Sequence, residues 1–395
     1  MAHSADKKNL KQTDILAPEL LSNALRTTKM ETTTLYVELG ADRYPIHVGQ
    51  GILGEIGETL APHIKSKRAL IVSDAFVTTR YLPVVQESLI NSGFDIDTVE
   101  VPVGEKSKSI AQFVRVQDSL VTHQLDRGST LIALGGGVIG DLTGFSAAVY
   151  MRGIAYVQIP TTLQAQVDAS VGGKTAINHP KSKNLIGAFH QPKLVLIDVD
   201  TLKSLPQRDI RAGLIEVIKM GVIRDEPLFA MVEENLAAIL SADASTLIEM
   251  IARACANKAD IVAQDEKESR LRMVLNYGHT FGHALEAVTD YKRYRHGEAV
   301  AIGMMCAAQL AVNLGVFSGT DFRRQCALLK AANLPTRFPS DISPEALHAA
   351  MYLDKKTIGG TLRLILPTRI GEVVIRDNVG KPAILEAISQ CRSIS

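Results

Sequence analysis

The stretch Thr130-Leu-Ile-Ala-Leu-Gly-Gly-Gly-Val-Ile-Gly-Asp141 decides the architecture of this chain. Leu131–Leu134 is an uninterrupted apolar run, as a strand buried on both faces must be, and three glycines then turn it into an apolar segment that reads as a helix start. A strand feeding a helix in this way is half of a βαβ unit, which implies a parallel sheet with helices on its faces. Glycines at such a turn let the backbone approach a pyrophosphate, whose charge is favoured by free N–H groups at the helix N-terminus. The spacing is not G-x-G-x-x-G, so a plain tight turn and a dinucleotide site both fit this stretch taken alone.

Working outward, Ala69–Val72, Phe94–Val101, Tyr156–Ile159 and Leu194–Val199 are β-rich runs separated by helix-length segments. Thr33–Leu39 and Arg43–Val48 alternate about Gly40-Ala41-Asp42 as a hairpin does. Met1–Lys29 has mixed charge, small polar residues and no apolar core of the secretory kind, and reads as a flexible extension with Met30 a candidate start. After Pro206 the texture becomes helical: Arg208–Ile223, Pro227–Leu240, Ala244–Gln264, His279–Val288, Glu298–Leu314 and Asp321–Ala332. Leu362–Leu366 and Val373–Arg376 read as a late hairpin about Thr368–Gly371, followed by a last helix. The expected fold class is an α/β N-terminal dinucleotide-binding domain with a parallel sheet over 30–205, plus a mostly α-helical C-terminal metal-binding domain over 206–395.

Composition narrows the function. The 395 residues are 46% hydrophobic, and 43 Lys+Arg against 42 Asp+Glu leave a formal charge of +1. That balance excludes a disordered chain and any general attraction to nucleic acid or an anionic membrane. The richest apolar stretch, Ala299–Val312, is too short to span a bilayer. Four scattered cysteines without a CxxC exclude a thiolate zinc finger and argue for a reducing, cytoplasmic setting.

Three of the ten histidines fall within eighteen residues: His279 and His283, four apart and so on one helix face, then His296. Neutral imidazoles plus a carboxylate make an open zinc site, and Glu216 in Ala212-Gly-Leu-Ile-Glu-Val-Ile-Lys219 is a charge among apolar neighbours that needs a partner. Cations gather in glycine-rich or apolar settings at Arg152, Lys174, Lys219, Lys258 and Arg272. Gly172-Gly-Lys-Thr175 has the look of a phosphate cradle, but Asp168 stands where a P-loop needs glycine, which removes the main support for an ATP-hydrolysing reading. Asp74, closing the strand Ala69–Val72, is placed either to take a ribose hydroxyl or to cap the next helix. Together these features suggest redox at a metal-bound hydroxyl of a small phosphorylated or carboxylated substrate.

The residues resemble the 3-dehydroquinate synthase family. The resemblance runs from about residue 33 towards the C-terminus, through Gly135–Phe145, Ile159–Thr162, Ser170–Asn178, Lys183–Gly187, Glu216–Lys219, Leu275–His283 and His296–Glu298. It implies a cleft between two domains, commonly a homodimer, with NAD and Zn2+ or Co2+ as cofactors and 3-deoxy-D-arabino-heptulosonate 7-phosphate as substrate. It implies Glu216, His279 and His296 as metal ligands and His283 as a substrate-facing acid/base group. Asp74, Glu105, Lys108, Gly136, Gly137, Asp141, Thr161, Thr162, Lys183 and Ser204 would line NAD, Ser204 standing where the family often has Thr. Arg152, Asp168, Lys174, Asn184, Lys219, Lys258, Arg272, Asn276 and Lys356 would hold the substrate. The nearest alternatives are another sugar phosphate cyclase and a metal-dependent NAD alcohol dehydrogenase; the latter needs no phosphate pocket.

Overall fold

The computed structural model describes residues 26–28, 32–180, 182–352 and 362–392, so Lys356 lies outside the described residues. Its first half alternates strand and helix: β1 (Arg26–Thr28), β2 (Thr32–Val37), β3 (Tyr44–Gly49), α1 (Ile56–Leu60), β4 (Arg68–Asp74), α2 (Ala75–Asn91), β5 (Asp95–Val101), α3 (Ile110–Thr122), β6 (Thr130–Gly135), α4 (Gly137–Val149), β7 (Ala155–Pro160), β8 (Lys174–His179), β9 (Ser182–Phe189) and β10 (Val195–Asp198). One eight-stranded sheet has the order β1-β2-β3-β10-β7-β6-β4-β5. Six of its strands, from β3 to β5 across the sheet, pair in parallel. β1 and β2 add an antiparallel edge. The end of the expected N-terminal extension is therefore a strand, because Arg26, Thr27 and Thr28 pair with Thr34, Thr33 and Thr32.

Every residue of β6 is buried, as a central parallel strand sandwiched by helices requires. From β4 the chain steps to β5 on one side, and from β6 it steps to β7 on the other. The carboxyl ends of β4 and β6 thus flank the point where the winding direction reverses, which is where open α/β sheets leave a ligand crevice.

The second half is helical: α5 (Gln207–Arg224), α6 (Glu226–Leu240), α7 (Ala244–Gln264), α8 (His279–Val288), α9 (His296–Asn313), α10 (Gly319–Ala331), α11 (Pro344–Met351), then the hairpin β11 (Arg363–Arg369) and β12 (Glu372–Asp377), and α12 (Lys381–Gln390). The change of texture at Pro206 is real, yet it is not a break in packing. One buried cluster runs from Leu35, Val37 and Tyr44 of the sheet through Leu214 and Ile218 of α5 and Ile251 and Ile261 of α7 to Ala308 of α9. The sheet edge β2–β3 is roofed by α7, so the two halves share apolar burial.

Two elements the sequence reading did not resolve lie near the candidate residues. Ala165–Ala169 winds as a π-helix, a form that concentrates at functional positions. β8 and β9 form a separate antiparallel hairpin packed on α4. Lys174 is the first residue of that hairpin, not part of a phosphate loop entering a helix. No described helix is long and apolar enough to cross a membrane.

Candidate active site

Nine of the ten proposed nucleotide residues follow the carboxyl ends of the parallel strands or sit one turn beyond them. Asp74 closes β4, Glu105 and Lys108 follow β5, Gly136 and Gly137 follow β6, Thr161 and Thr162 follow β7, and Ser204 ends the 3-10 turn after β10. The β6–α4 turn is as tight as its glycines suggest: a Cβ on Gly136 would stand 3.0 Å from Thr162 Cγ2, leaving only backbone facing the crevice. Asp141, the fifth residue of α4, accepts a hydrogen bond from the buried ammonium of Lys108. Burial pushes the Asp141 carboxyl up, and the Lys108 charge opposes it. Lys108 also donates to Asn184 Oδ1 at 2.5 Å, which ties β9 to the nucleotide side.

Asp74 and Ser204 also have structural partners. Asp74 caps α2, its Oδ1 accepting from the N–H groups of Phe76 and Val77 at 3.0 and 3.2 Å. Ser204 accepts from the Tyr81 hydroxyl at 2.7 Å and donates to the Thr201 carbonyl at 3.1 Å.

The helical half supplies the histidines. His279 and His283 project from one face of α8, His296 starts α9, and the ring centroids lie 5.2–5.6 Å apart. Donor atoms of all three imidazoles fall within 4.8 Å of one another. Glu216 approaches from α5, its Oε1 lying 3.7 Å from both His279 Nε2 and His296 Nε2. That oxygen is buried and has no hydrogen-bond partner among the described residues, while Oε2 faces Lys219 Nζ at 2.5 Å. An orphaned carboxylate oxygen encircled by imidazole nitrogens is expensive unless a cation joins it, and an N/N/N/O donor set suits zinc or cobalt. The residues present therefore fit a divalent ion.

Backbone contact sets the spacing of this cluster. A Cβ on Gly297 would fall 1.9 Å from the Ala212 carbonyl oxygen, and one on Gly303 would fall 2.0 Å from that of Gly278. α9 thus lies directly against α5 and against the start of α8, with nothing between the backbones.

Charged groups surround the cluster. Lys258 of α7 bonds the carboxylate of Asp168 and its carbonyl, the latter at 2.5 Å. Burial alone would raise the Asp168 carboxyl, but Lys258, Lys219 and Lys174 hold it well below the usual carboxylate range. Lys219 is pulled up in turn, because Glu216 and Asp168 outweigh its desolvation. Arg272, 1% exposed, donates to the carbonyls of Gly172 at 2.9 Å and Glu266 at 2.5 Å.

Two carboxylates absent from the sequence-derived set belong to this network. Glu268 takes Lys174 on one oxygen and the Asn276 amide on the other, the latter at 3.0 Å. Glu286, buried on α8, lies 3.1 Å from His296 Nδ1. Nothing in the polar run Gln264–Arg270 marks Glu268. Glu286 was findable, since Ala284-Leu-Glu-Ala-Val288 sets a carboxylate among apolar residues just as Glu216 is set. Arg152 stands apart: it follows the C-terminal end of α4, about 20 Å along the helix from Gly137, and makes no hydrogen bond or ion pair with these groups among the described residues.

Comparison with known proteins agrees with this geometry. Residues 98–212 match the 3-dehydroquinate synthase N-terminal family, and residues 213–357 match the 3-dehydroquinate synthase C-terminal family. The chain is 49% identical to the 3-dehydroquinate synthase of Desulforamulus reducens over 90% of its own length and 99% of that protein. It is 47% identical to that of Picosynechococcus sp. over 91% and 99%. Among solved structures, a 2-epi-5-epi-valiolone synthase from Streptomyces hygroscopicus with NAD+ and Zn2+ bound superposes with TM-score 0.81 at 28% identity, covering 88% of this chain and 96% of the other. A protein described as a probable glycerol dehydrogenase from Sinorhizobium meliloti, at TM-score 0.60 and 18% identity over 87% and 94%, shares the fold alone. A glycine turn at the sheet's reversal point, a buried Glu216 among three histidines and a fence of cations thus accompany sequence matches over residues 98–357, and the chain belongs to the 3-dehydroquinate synthase family.

Proposed function

We propose that the chain catalyses the 3-dehydroquinate synthase reaction, converting 3-deoxy-D-arabino-heptulosonate 7-phosphate into 3-dehydroquinate and phosphate with NAD and a divalent ion, Zn2+ or Co2+. The observation that carries this reading is the meeting of Glu216 Oε1 with the His279 and His296 Nε2 atoms, beside Asp168, Lys219 and Lys258. The two rival readings fare less well. The valiolone synthase is 28% identical, against 49% for the Desulforamulus reducens 3-dehydroquinate synthase. A simple alcohol dehydrogenase has no use for Lys174, Lys258 and Arg272 together.

In this reading residues 30–205 hold NAD and 206–395 carry the metal. The Gly136–Gly137 turn receives the pyrophosphate at the N-terminus of α4, where the helix dipole favours it. Glu216, His279 and His296 hold the ion. When bound, NAD removes and returns a hydride, and the ion supplies Lewis acidity at neighbouring substrate hydroxyls. The protein's own work is orientation: Lys174, Lys258, Arg272, Asn184 and Asn276 fix the carboxylate, hydroxyls and phosphate, and His283 exchanges a proton with the substrate. The cations are already paired in this structure, Lys174 with Glu268 and Lys258 with Asp168, so substrate anions exchange with these partners instead of meeting bare charge.

Because Lys174 is nearly half exposed, Lys174→Ala should weaken substrate binding by only about 1–2 kcal/mol, roughly 5–30-fold in KM, with metal content unchanged. Steady-state kinetics on the variant check this; an unaltered KM removes Lys174 from the substrate set.

The whole reading is tested by incubating the chain with the heptulosonate phosphate, zinc and NAD far below the substrate concentration. Phosphate should be released in excess of NAD, with no accumulating NADH, since each hydride taken is given back. Stoichiometric NADH would instead support an alcohol dehydrogenase. We also infer a homodimer in a cytoplasmic setting. Exposed Val149 at the end of α4, Met151 just beyond it, and Leu185 and Phe189 on β9 support an apolar face for a second copy, to be checked by light scattering. The four cysteines are all free thiols, which supports a reducing compartment.

A further inference from the structure

His279 and His296 face Glu216 in the same way but are anchored differently. His279 Nδ1 lies 3.1 Å from the Tyr277 carbonyl, a backbone group two residues away. With Nδ1 donating there, Nε2 carries the lone pair and points toward Glu216 Oε1. The His296 Nδ1 partner is instead a side chain, Glu286 Oε2 at 3.1 Å. Its other oxygen, Oε1, lies 3.7 Å from Lys183 Nζ, on the β8–β9 hairpin of the opposite half of the chain. The same ammonium stands 4.3 Å from the centroid of the Tyr291 ring. Tyr291 and Asp290 are held at φ 56° and 53°, the left-handed region that non-glycine residues avoid, which presents that ring to Lys183 at the expense of local strain.

We propose that Glu286 is the positioning carboxylate of the metal centre, fixing the ring and tautomer of His296 with one oxygen while its other oxygen ties the β8–β9 hairpin to that ligand through Lys183. The proposal rests on His296 being a metal ligand. A carboxylate behind a ligating imidazole orients the ring and makes its free nitrogen a better donor. Here the carboxylate is shared, so the ligand's orientation and the hairpin that carries Lys174, Lys183 and Asn184 are set together. His279, pinned to backbone, is the fixed ligand, and His296 is the one that senses the other half of the chain. An acidic side chain buried on α8 thus has two partners, one in each half.

The test uses full-length Glu286→Gln, which keeps the shape and an acceptor oxygen but not the charge, beside His296→Ala and the unmodified chain. Zinc affinity is measured by competition with a chromophoric chelator after thermal unfolding shows that each apo variant folds. Glu286→Gln should bind zinc about 10–100-fold more weakly. Its cobalt derivative should show shifted ligand-field absorption bands, a change that a purely structural role would not produce. In the unmodified chain, zinc should raise hydrogen-exchange protection over β9, and in Glu286→Gln that rise should vanish. If His296→Ala loses zinc while Glu286→Gln keeps wild-type affinity, cobalt spectrum and β9 response, the proposal is overturned and the metal reading stands. If His296→Ala binds zinc like the unmodified chain, both fall.

Discussion

His279→Ala should leave the purified chain without a stoichiometric metal ion and lower turnover at least about 10³-fold, the equivalent of some 4 kcal/mol of lost charge stabilisation. The imidazole is buried, its Nδ1 is held by the Tyr277 carbonyl, and its Nε2 faces the orphaned Glu216 oxygen, so its removal deletes a donor aimed at the centre. The fold should survive. The loss inside the protein includes the hydrogen bond to the Tyr277 carbonyl, worth about 1 kcal/mol, the ring contacts with His283 and His296, and a small void. Glu216→Ala is a harsher experiment, because it strands the buried Lys219 ammonium and mixes a folding defect with loss of the ligand. Atomic absorption on purified His279→Ala, beside its circular dichroism, decides the point. Full zinc content with a normal rate would remove His279 from the ligand set.

The second large effect separates two histidines one helix turn apart. His283 shares a face of α8 with His279, and its donor atom is within reach of the same centre. If its work is proton exchange with substrate, His283→Ala should keep zinc and NAD binding and lose about 10²–10⁴-fold in kcat. Loss of zinc from this variant would place His283 among the ligands and displace Glu216 or His296.

Most of the sheet was legible because each strand is bounded by its own chemistry. The apolar run Leu131–Leu134 ends in glycines and Ala69–Val72 ends in an acid that caps a helix, and both strands lie within a residue or two of expectation. The helices Ala244–Gln264 and His279–Val288 match at both ends, since their apolar period is strong and their neighbours are polar or glycine. β8 and β9 were not legible. Ser182–Phe189 is largely exposed and its alternation is weak, so the strand exists through pairing with β8 and packing on α4, not through any local pattern. The π-helix is likewise invisible, because Ala165–Ala169 has no composition that distinguishes five-residue from four-residue closure.

Among the site residues, those whose environment contradicts their chemistry were readable: Glu216 among apolar neighbours, and histidines at helical spacing. Roles set by partners far along the chain were not. Taken without the resemblance, Asp168 does no more than spoil a P-loop, and its surroundings come from Lys258, ninety residues away. Glu268 gains its place from Lys174, ninety-four residues away.

The close contacts at Gly297 and Gly303 have a consequence for redesign. Where two backbones touch, the gap between the ligands they carry cannot be tuned by trimming or enlarging side chains, since there are none at the contact. Any residue larger than glycine at 297 must push α9 bodily away from the Ala212 carbonyl, carrying His296 away from Glu216. Ion preference in this scaffold is therefore open to adjustment through the chemical kind of each donor, for instance imidazole exchanged for thiolate, while the bite of the site is a rigid dimension inherited from helix contact.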